Sequence, residues 1–325
     1  MTLPRIGITL GDPSGIGPEV ALKTLSDPDR LPPADYVVFG SQRVIEEEKR
    51  ALGVDLKIPF SIHEVRHVPS DFRKGVPSKN SGKASFLYVK AAVTEASKGR
   101  LHAVVTAPVS KHAWHQAGIR WAGHTDYLTH LYPEAMMAFW SDPLKVILFT
   151  HHLSLKQAAA AVKKPDLLRF FFRIHRYVLT TIDQKPRFLV AGLNPHAGEE
   201  GLLGDEEEKH IRPAVAEARK QGIPITGPLP PDVVFREALD HPGVFAIAMY
   251  HDQGLIPFKL VAFERGVNMT LGLPFVRTSP DHGTAFDRAG KGLASPASMR
   301  EAIRLAHRLV EGSLRVGGRE HGRKA

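Results

Sequence analysis

Residues 244–254 read VFAIAMYHDQG, a short apolar run that ends at a polar turn containing His251. An apolar run without polar alternation is typical of a β-strand that is buried on both faces, as strands of parallel sheets are. The abrupt change to polar residues marks the end of the strand. The stretch therefore predicts a strand in a helix-covered sheet, with a histidine just beyond its carboxyl end.

The same pattern recurs along the chain. Similar runs predict strands at Arg5–Leu10, Tyr36–Gly40, Ala103–Thr106, Val146–Thr150, Phe188–Ala191 and Val244–Met249. Helix-like stretches lie at Lys83–Lys98, Gln157–Val162, Glu206–Gln221 and Met299–Glu311, and the polar tail Gly317–Ala325 is expected to be unstructured. Strands and helices that alternate at this spacing indicate an α/β fold with a largely parallel sheet. Because single cores rarely exceed roughly 250–300 residues, the 325-residue chain is expected to form two domains.

The composition excludes several classes of protein. Cysteine is absent, which rules out disulfides, thiolate catalysis and cysteine-ligated metal sites. No apolar run reaches the roughly 20 residues that a membrane-spanning helix needs, and the first residues do not have the layout of a signal peptide, so we expect a cytoplasmic protein without a membrane partner. The net charge of +9 fits either nucleic acid or anionic small molecules. Scattered Lys and Arg and the lack of a recognition motif favour small molecules over nucleic acid.

Two glycine-containing loops invite comparison with phosphate-binding motifs. The loop Gly11–Glu19 follows a predicted strand, and Gly11, Asp12 and Gly15 could form either a tight structural turn or a ligand loop. It lacks the Rossmann G-x-G-x-x-G spacing. The stretch Ser81–Ser85 resembles the end of a P-loop, but Ala84 stands where Ser or Thr is required. We therefore predict that Ser81 is a helix N-cap.

Three histidines follow predicted strands directly. His152, His196 and His251 lie near the carboxyl ends of strands, where open α/β sheets bind ligands. Three imidazoles with coordination positions left over suit a catalytic divalent metal, most naturally zinc. His151 is an alternative to His152 because adjacent strand residues point to opposite faces. Each histidine taken alone is more often a surface residue, so the prediction depends on all three.

Further polar residues are weaker candidates. Asp232 and Asp252 could orient the imidazoles, although each could also be a helix-capping or solvated carboxylate. Lys259, Asn268 and Arg277 form a loose polar series in which Arg277 could bind phosphate or carboxylate with two hydrogen bonds.

Taken together, these segments resemble the 4-hydroxythreonine-4-phosphate dehydrogenase family of pyridoxal phosphate biosynthesis. The matching stretches are Gly11–Glu19, Thr106–Pro108 with Lys111, Gly123–Asp126, His152–Leu155, Gly192–Glu199, Gly227–Asp232, Tyr250–Leu255 and Val267–Ala285. They extend from the first loop nearly to the last helix, and their joint order is highly specific. Asp126 departs from the pattern, since Glu is usual there, and the departure leaves the substrate open.

The resemblance implies a two-domain α/β/α fold like that of the isocitrate and isopropylmalate dehydrogenases, with the active-site cleft between the domains. The first domain would comprise residues 1–125 and 280–325. The second, residues 126–279, would carry the metal ligands and the dimer contacts. The family likeness also implies a homodimer with its active site near the subunit interface.

The resemblance also implies roles for individual residues. His152, His196 and His251 would bind the metal, possibly contributed by both subunits, and His152 is preferred to His151 because it precedes Leu-x-Leu. The cation would be zinc, with magnesium or cobalt as alternatives. Substrate contacts would come from His124, Thr125, Lys259, Asn268 and Arg277. The adenosine part of NAD or NADP would be bound by Asp281, His282, Gly283 and Asp287.

The activity implied is the NAD(P)-dependent oxidation of 4-phosphohydroxy-L-threonine to a β-keto acid, which decarboxylates to 3-amino-2-oxopropyl phosphate. Within enzymes, the alternative is a related dehydrogenase acting on 4-phospho-erythronate or 4-phospho-threonate, or on a cyclic dihydrodiol. Two other classes stay open from the residues alone: a metal-dependent phosphoryl-transfer or hydrolytic enzyme that uses the Gly11 loop, and a nucleic-acid-binding protein. Lys259, Asp232 and a metal-bound hydroxide are the candidates for the general base.

Overall fold

The computed structural model describes residues 3–66 and 71–321, with side chains described as far as residue 312. Its strands are β1 Arg5–Thr9, β2 Asp35–Gly40, β3 Phe60–Glu64, β4 Ala103–Thr106, β5 Met136–Trp140, β6 Lys145–Leu148, β7 Arg187–Ala191, β8 Ile225–Leu229, β9 Val244–Ala248, β10 Val267–Leu271 and β11 Val276–Pro280. Its α-helices are α1 Gly17–Leu25, α2 Gln42–Leu52, α3 Lys79–Ser97, α4 Lys111–Gln116, α5 His124–Leu131, α6 Leu155–Ala161, α7 Lys164–Thr181, α8 Arg212–Lys220, α9 Pro231–Ala238, α10 His251–Ala262 and α11 Ala297–His321. A π-helical turn, Glu207–Ile211, leads directly into α8.

The chain divides into two units. The first contains the described residues up to Pro133 and from Leu273 onward, and the second is Glu134–Gly272. The boundaries expected from the sequence, after residues 125 and 279, fall inside helix α5 and strand β11. The observed boundaries lie outside both elements and keep each of them whole. Strand β11 is held in the first unit by its parallel pairing with β4.

In the first unit, five strands pair in the order β3-β2-β1-β4-β11, and every pair is parallel. Ile6, Ile8, Val38 and Val104 are completely buried, as expected for strands that are covered on both faces. The carboxyl ends of β1, β4 and β11 therefore share one edge of this sheet.

In the second unit, the order is β10-β5-β6-β9-β7-β8. Strands β6, β9, β7 and β8 pair in parallel, whereas β5 is antiparallel to both β10 and β6. The core between this sheet and helices α9 and α10 contains Val146, Ala246, Val234 and Phe258, all fully buried. The prediction of a largely parallel sheet is thus confirmed, with β5 as the exception.

The strands that the sequence did not predict are polar, exposed or short of β-branched residues. Strand β3 is mostly exposed, β11 contains Arg277, Thr278 and Ser279, and β8 contains the Gly227-Pro228 dipeptide.

Two predictions about helices were wrong in detail. Ser78 is the N-cap of α3, and Ser81 is its reciprocal partner three residues later. Helix α11 runs to His321 through the start of the supposedly unstructured tail, whose residues 322–325 lie outside the described part.

Candidate active site

Three histidine-bearing loops follow three neighbouring strands of the second unit. His152 lies shortly after β6, His251 is the first residue of α10 after β9, and His196 lies in the loop after β7. These strands are adjacent and parallel in the order β6-β9-β7. All three histidines are therefore placed beyond the same edge of the sheet, as the sequence predicted.

Two of these imidazoles are neighbours. The ring centroids of His152 and His251 are 5.6 Å apart, and the rings are inclined by 37°. The loops that carry them are tied together by the Thr150 hydroxyl, which donates to the Met249 carbonyl at 2.7 Å. His151 lies beside His152, with ring centroids 5.4 Å apart. The structure thus brings His152 and His251 together and keeps His151 as a near neighbour.

Carboxylates flank this pair differently. Asp252 Oδ1 is 2.6 Å from His251 Nδ1, a contact that can orient the ring and leave Nε2 for a ligand. Asp232 lies in the first turn of α9, where a carboxylate interacts favourably with the helix N-terminus. Both aspartates line one groove of about 460 Å³, together with Tyr250 and Gln253.

The backbone at two of the histidines is unusual. His152 and His196 both have φ angles of 51°, in the left-handed region that non-glycine residues seldom occupy. Such conformations cluster at functional sites because the surrounding structure must hold them there. No local sequence signal distinguishes these positions.

The imidazole donors suit zinc, cobalt or another borderline cation. Within residues 3–66 and 71–312, however, no group of three His, Asp or Glu side chains is arranged as a metal site. The rings of His152 and His251 lie close together, and the His196 ring does not form a group of three with them. A single chain therefore presents two close imidazoles of the expected three.

The first unit contains a separate cluster of buried donors. Arg277 is 1% exposed and its Nη2 donates to the Thr106 hydroxyl at 2.6 Å. Burial lowers the pKa of the Arg277 guanidinium. His124, the first residue of α5, is half-buried, and both desolvation and the Arg277 charge lower the pKa of its imidazole well below the usual value. Thr125 follows in the same helical turn, so Arg277 and the start of α5 form a setting suited to an anion.

The Gly11 loop of the first unit is a tight turn. Gly11 has φ +68°, and a Cβ there would lie 2.4 Å from the Pro108 carbonyl oxygen. A Cβ on Gly15 would lie 2.8 Å from the Thr284 carbonyl oxygen, which accepts a hydrogen bond from the Ile16 amide at 3.0 Å. Asp12 is fully buried, and desolvation raises the pKa of its carboxyl. Gly11 thus allows this loop to pack against the backbone of Ala107 and Pro108, and Gly15 allows it to pack against the loop that begins at Asp281.

The residues expected to bind the cofactor lie in that second loop. The Asp281 amide donates to Ser298 Oγ at 3.0 Å, and the His282 Nδ1 lies 3.1 Å from the Gly283 carbonyl oxygen. Gly283 has open space where a Cβ would stand, and the Asp287 side chain is exposed. This part of the site is accessible to a ligand.

The remaining substrate candidates, Lys259 and Asn268, belong to the second unit. Lys259 lies on α10, with its Nζ 5.8 Å from the centre of the Phe263 ring. Asn268 lies on β10, in register with Phe139 of β5. The predicted substrate set is therefore divided: His124, Thr125 and Arg277 are on the first unit, and Lys259 and Asn268 are on the second.

A family model described as "Pyridoxal phosphate biosynthetic protein PdxA" matches residues 33–306, most of the chain. The chain belongs to the PdxA family. A PdxA-family relative named 4-hydroxythreonine-4-phosphate dehydrogenase, from Sulfurihydrogenibium sp. (strain YO3AOP1), is 41% identical over 93% of this chain and 97% of its own length. A relative from Oceanobacillus iheyensis, named "Putative D-threonate 4-phosphate dehydrogenase", is 38% identical over 94% of this chain and 98% of its own length.

A crystal structure agrees with these sequence matches. That of a 4-hydroxythreonine-4-phosphate dehydrogenase from Klebsiella pneumoniae superposes on this PdxA-family chain with a TM-score of 0.82. The sequences are 36% identical, and the match covers 95% of this chain and 98% of the other. The family resemblance and the α/β fold class are therefore confirmed. In the described part of this chain, no helix is both long and apolar enough to span a bilayer.

Two buried polar residues of the second unit were missed by the sequence analysis. Glu207 is completely buried, and Gln253 is 8% exposed. Both make hydrogen bonds within the loops that carry His196 and His251. Glu207 stands in a run of three glutamates at 206–208, and nothing in that run singles it out.

Proposed function

We propose that the chain is a cytoplasmic NAD(P)-dependent dehydrogenase that oxidises 4-phosphohydroxy-L-threonine. The product is a β-keto acid, which decarboxylates to 3-amino-2-oxopropyl phosphate in pyridoxal phosphate biosynthesis. The observation that carries the proposal is the placement of His152, His196 and His251 beyond three adjacent parallel strands, in a chain that matches relatives of this name over nearly its whole length.

One divalent cation, most simply zinc, belongs to the proposal, with magnesium and cobalt as alternatives. His152, His196 and His251 would hold it, and Asp252 would fix the orientation of the His251 ring through its 2.6 Å contact. When bound, the cation supplies Lewis-acid polarisation of the substrate's secondary hydroxyl, and the nicotinamide supplies the hydride acceptor. Lys259 and Asp232 are the chain's own candidates for the general base.

A homodimer is also part of the proposal, with the active site near the subunit interface. Its support is an apolar surface on and just beyond α10, where the side chains of Ile256, Leu260 and Phe263 are 62%, 83% and 74% exposed. Exposed apolar patches of this kind mark association surfaces. The surface begins one turn after His251, so a second copy bound there would bring its own side chains close to the histidine loops. Ligands contributed by both subunits would account for the incomplete triad of the single chain.

The chain's own residues would bind and orient the substrate. Arg277 and His124, with Thr125 in the same turn of α5, would bind an anionic group of the substrate, and Lys259 and Asn268 would bind another part of it. Asp281, His282, Gly283 and Asp287 would hold the adenosine part of NAD or NADP. Such fixed contacts place the reacting carbon against the nicotinamide ring, which is how positioning lowers the barrier.

The direct test is to measure nicotinamide reduction with 4-phosphohydroxy-L-threonine, using NAD and NADP in separate assays. The absorbance of the reduced nucleotide should rise with one of them, disappear after exhaustive treatment with a chelator, and return on addition of Zn²⁺. No absorbance change with either nucleotide would contradict the proposal. Phosphate release without reduction would instead favour the phosphoryl-transfer or hydrolytic alternative. Activity that survives complete metal removal would show that the cation is not part of the proposed function.

A second candidate substrate is 4-phospho-D-threonate. It is favoured by the 38% identical Oceanobacillus iheyensis relative, whose match covers 94% of the chain against 93% for the Sulfurihydrogenibium relative. Asp126 is also shorter than the Glu usual at its position, and its Oδ2 accepts a hydrogen bond from the Ala122 amide at 2.9 Å. The loop before α5 is therefore shaped by a residue that departs from the family pattern. Comparing kcat/KM for the two phosphorylated substrates distinguishes the candidates.

A further inference from the structure

The loop that carries His196 contains a run of left-handed backbone. His196, Ala197, Glu199 and Glu200 have φ angles between 45° and 55°, and Gly198 has φ 82°. A left-handed conformation is sterically unfavourable for an L-residue, and it normally occurs at single positions. Four such non-glycine residues in one turn require strong support from their surroundings.

The support comes from the buried carboxylate of Glu207. Its Oε1 accepts hydrogen bonds from the backbone amides of Leu193 and Asn194, both at 2.7 Å. Its Oε2 accepts a third from Asn194 Nδ2 at 2.9 Å. Leu193 and Asn194 are separated from the left-handed turn only by Pro195, so Glu207 fixes the chain just before it enters the turn. Glu207 also opens a π-helical turn, an irregularity frequent at functional sites.

Glycines make room for this carboxylate. A Cβ on Gly192 would lie 3.0 Å from Glu207 Oε1, and one on Gly198 would lie 2.8 Å from Oε2. Gly201 is in the same left-handed run, with φ +95°, yet a Cβ there would meet nothing within 4 Å. Gly198 and Gly201 therefore share the backbone requirement but differ in whether a side chain would displace Glu207.

Gln253 connects this loop to the strand end that precedes His251. Its Nε2 donates to the Gly192 carbonyl at 2.7 Å, and its Oε1 accepts from the Met249 amide at 2.7 Å. The His196 loop and the His251 turn are thus joined through one buried amide side chain. A displacement of the Glu207 end of this network would be transmitted to both histidines.

We propose that Glu207 is a positioning residue that holds the His196 imidazole in its cation-binding orientation, with Gln253 coupling this loop to His251. The inference rests on the proposed function, because it assumes that His196 binds a cation. Glu207 itself lies behind the loop and contacts its backbone, so it acts on the cation only through His196.

The test compares Glu207→Gln with Glu208→Gln in the full-length protein. Both changes remove one negative charge from adjacent positions, but Glu208 is exposed and pairs with Arg212. The dissociation constant for Co²⁺ is measured by competition with a chromophoric chelator, and the Co²⁺ absorption spectrum is recorded. We expect Glu207→Gln to weaken binding by about 10–100-fold, the usual cost of losing a partner that orients a ligand, and to change the spectrum. Glu208→Gln should change neither.

A second matched pair of variants keeps the proposal testable if Glu207→Gln does not fold. Gly198→Ala should weaken Co²⁺ binding in the same direction, whereas Gly201→Ala should have a much smaller effect, since only the first displaces the carboxylate. Thermal unfolding of the metal-free variants reports on stability separately. A purely structural role for Glu207 would lower the unfolding temperature without changing the Co²⁺ constant or spectrum, and that result would overturn the proposal.

The His196→Ala variant separates the two levels of inference. If it binds Co²⁺ as tightly as the unmodified protein, the proposed metal site is wrong. If it loses Co²⁺ binding while Glu207→Gln and Gly198→Ala bind normally, the metal site stands and the positioning role of Glu207 is wrong.

Discussion

In the first unit, His124 and Arg277 stand on regular backbone, at the start of helix α5 and within strand β11. In the second unit, His152 and His196 stand on left-handed backbone in loops, and the His196 loop is held by the buried Glu207. The first arrangement obtains its chemistry from burial, because desolvation lowers the pKa of both groups and the Arg277 charge lowers that of His124 further. The second obtains its geometry from hydrogen bonds that reach the loop from elsewhere in the chain. Substitutions should therefore act mainly on charge and affinity in the first region and on ligand geometry in the second.

The largest effect is expected from His196→Ala. Removing the imidazole should abolish metal binding and most turnover. Losing a residue that only orients a ligand weakens metal affinity by about 10–100-fold, and losing the ligand itself should cost more. The far-UV circular dichroism should stay unchanged because His196 is exposed. Metal content and turnover are measured together, with exposed His241→Ala as the control. Normal turnover in a metal-free His196→Ala protein would refute the role of the cation.

The next largest effect is expected in the first unit, from Arg277→Ala. Hydrogen bonds to charged groups contribute about 1.5–3 kcal/mol, so the apparent KM for the phosphorylated substrate should rise by about one to two orders of magnitude. The kcat should change less, because the anionic group that Arg277 is proposed to bind is remote from the reacting carbon. Exposed Arg100→Ala, which loses only its ion pair with Glu95, is the control. An unchanged KM would remove Arg277 from the substrate site.

A smaller effect concerns acid stability and His124. Burial and the Arg277 charge hold the pKa of His124 well below its usual value, so the folded state keeps the ring neutral while the unfolded chain takes up a proton below about pH 6.5. The contribution of neutral His124 to stability is therefore present above this pH and is lost as the pH falls below it. His124→Gln should show a shallower decline of the unfolding temperature between pH 7 and pH 5. Exposed His115→Gln serves for comparison, and equal slopes in His124→Gln and the unmodified protein would contradict the assignment.

The same contrast explains what could be predicted from the sequence. Strand β4 was predicted with its observed bounds, Ala103–Thr106, because its residues are uniformly apolar up to the last. Strand β11 was missed because its polar residues are buried through tertiary hydrogen bonds, such as that from Thr278 Oγ1 to the Ala302 carbonyl at 2.8 Å. The positions of the three histidines followed from strand ends alone. The left-handed turn at His196 could not be predicted, since it depends on a carboxylate whose partners are set only in the folded chain.

The smallest effect tests the misassigned cap of α3. The Ser78 hydroxyl accepts a hydrogen bond from the Ser81 amide at 3.1 Å. In return, the Ser81 hydroxyl accepts one from the Ser78 amide at 3.2 Å. Ser78→Ala removes the N-cap acceptor and should lower the free energy of unfolding by about 1 kcal/mol. Ser81→Ala, which keeps that acceptor, should cost less if the cap bond dominates, as measured by urea unfolding of both variants. Because α3 belongs to the first unit and is regular throughout, neither change should alter Co²⁺ affinity. A loss of cation binding in Ser78→Ala would show that regular elements of the first unit also control the geometry of the histidine loops, and the contrast between the two regions would then fail.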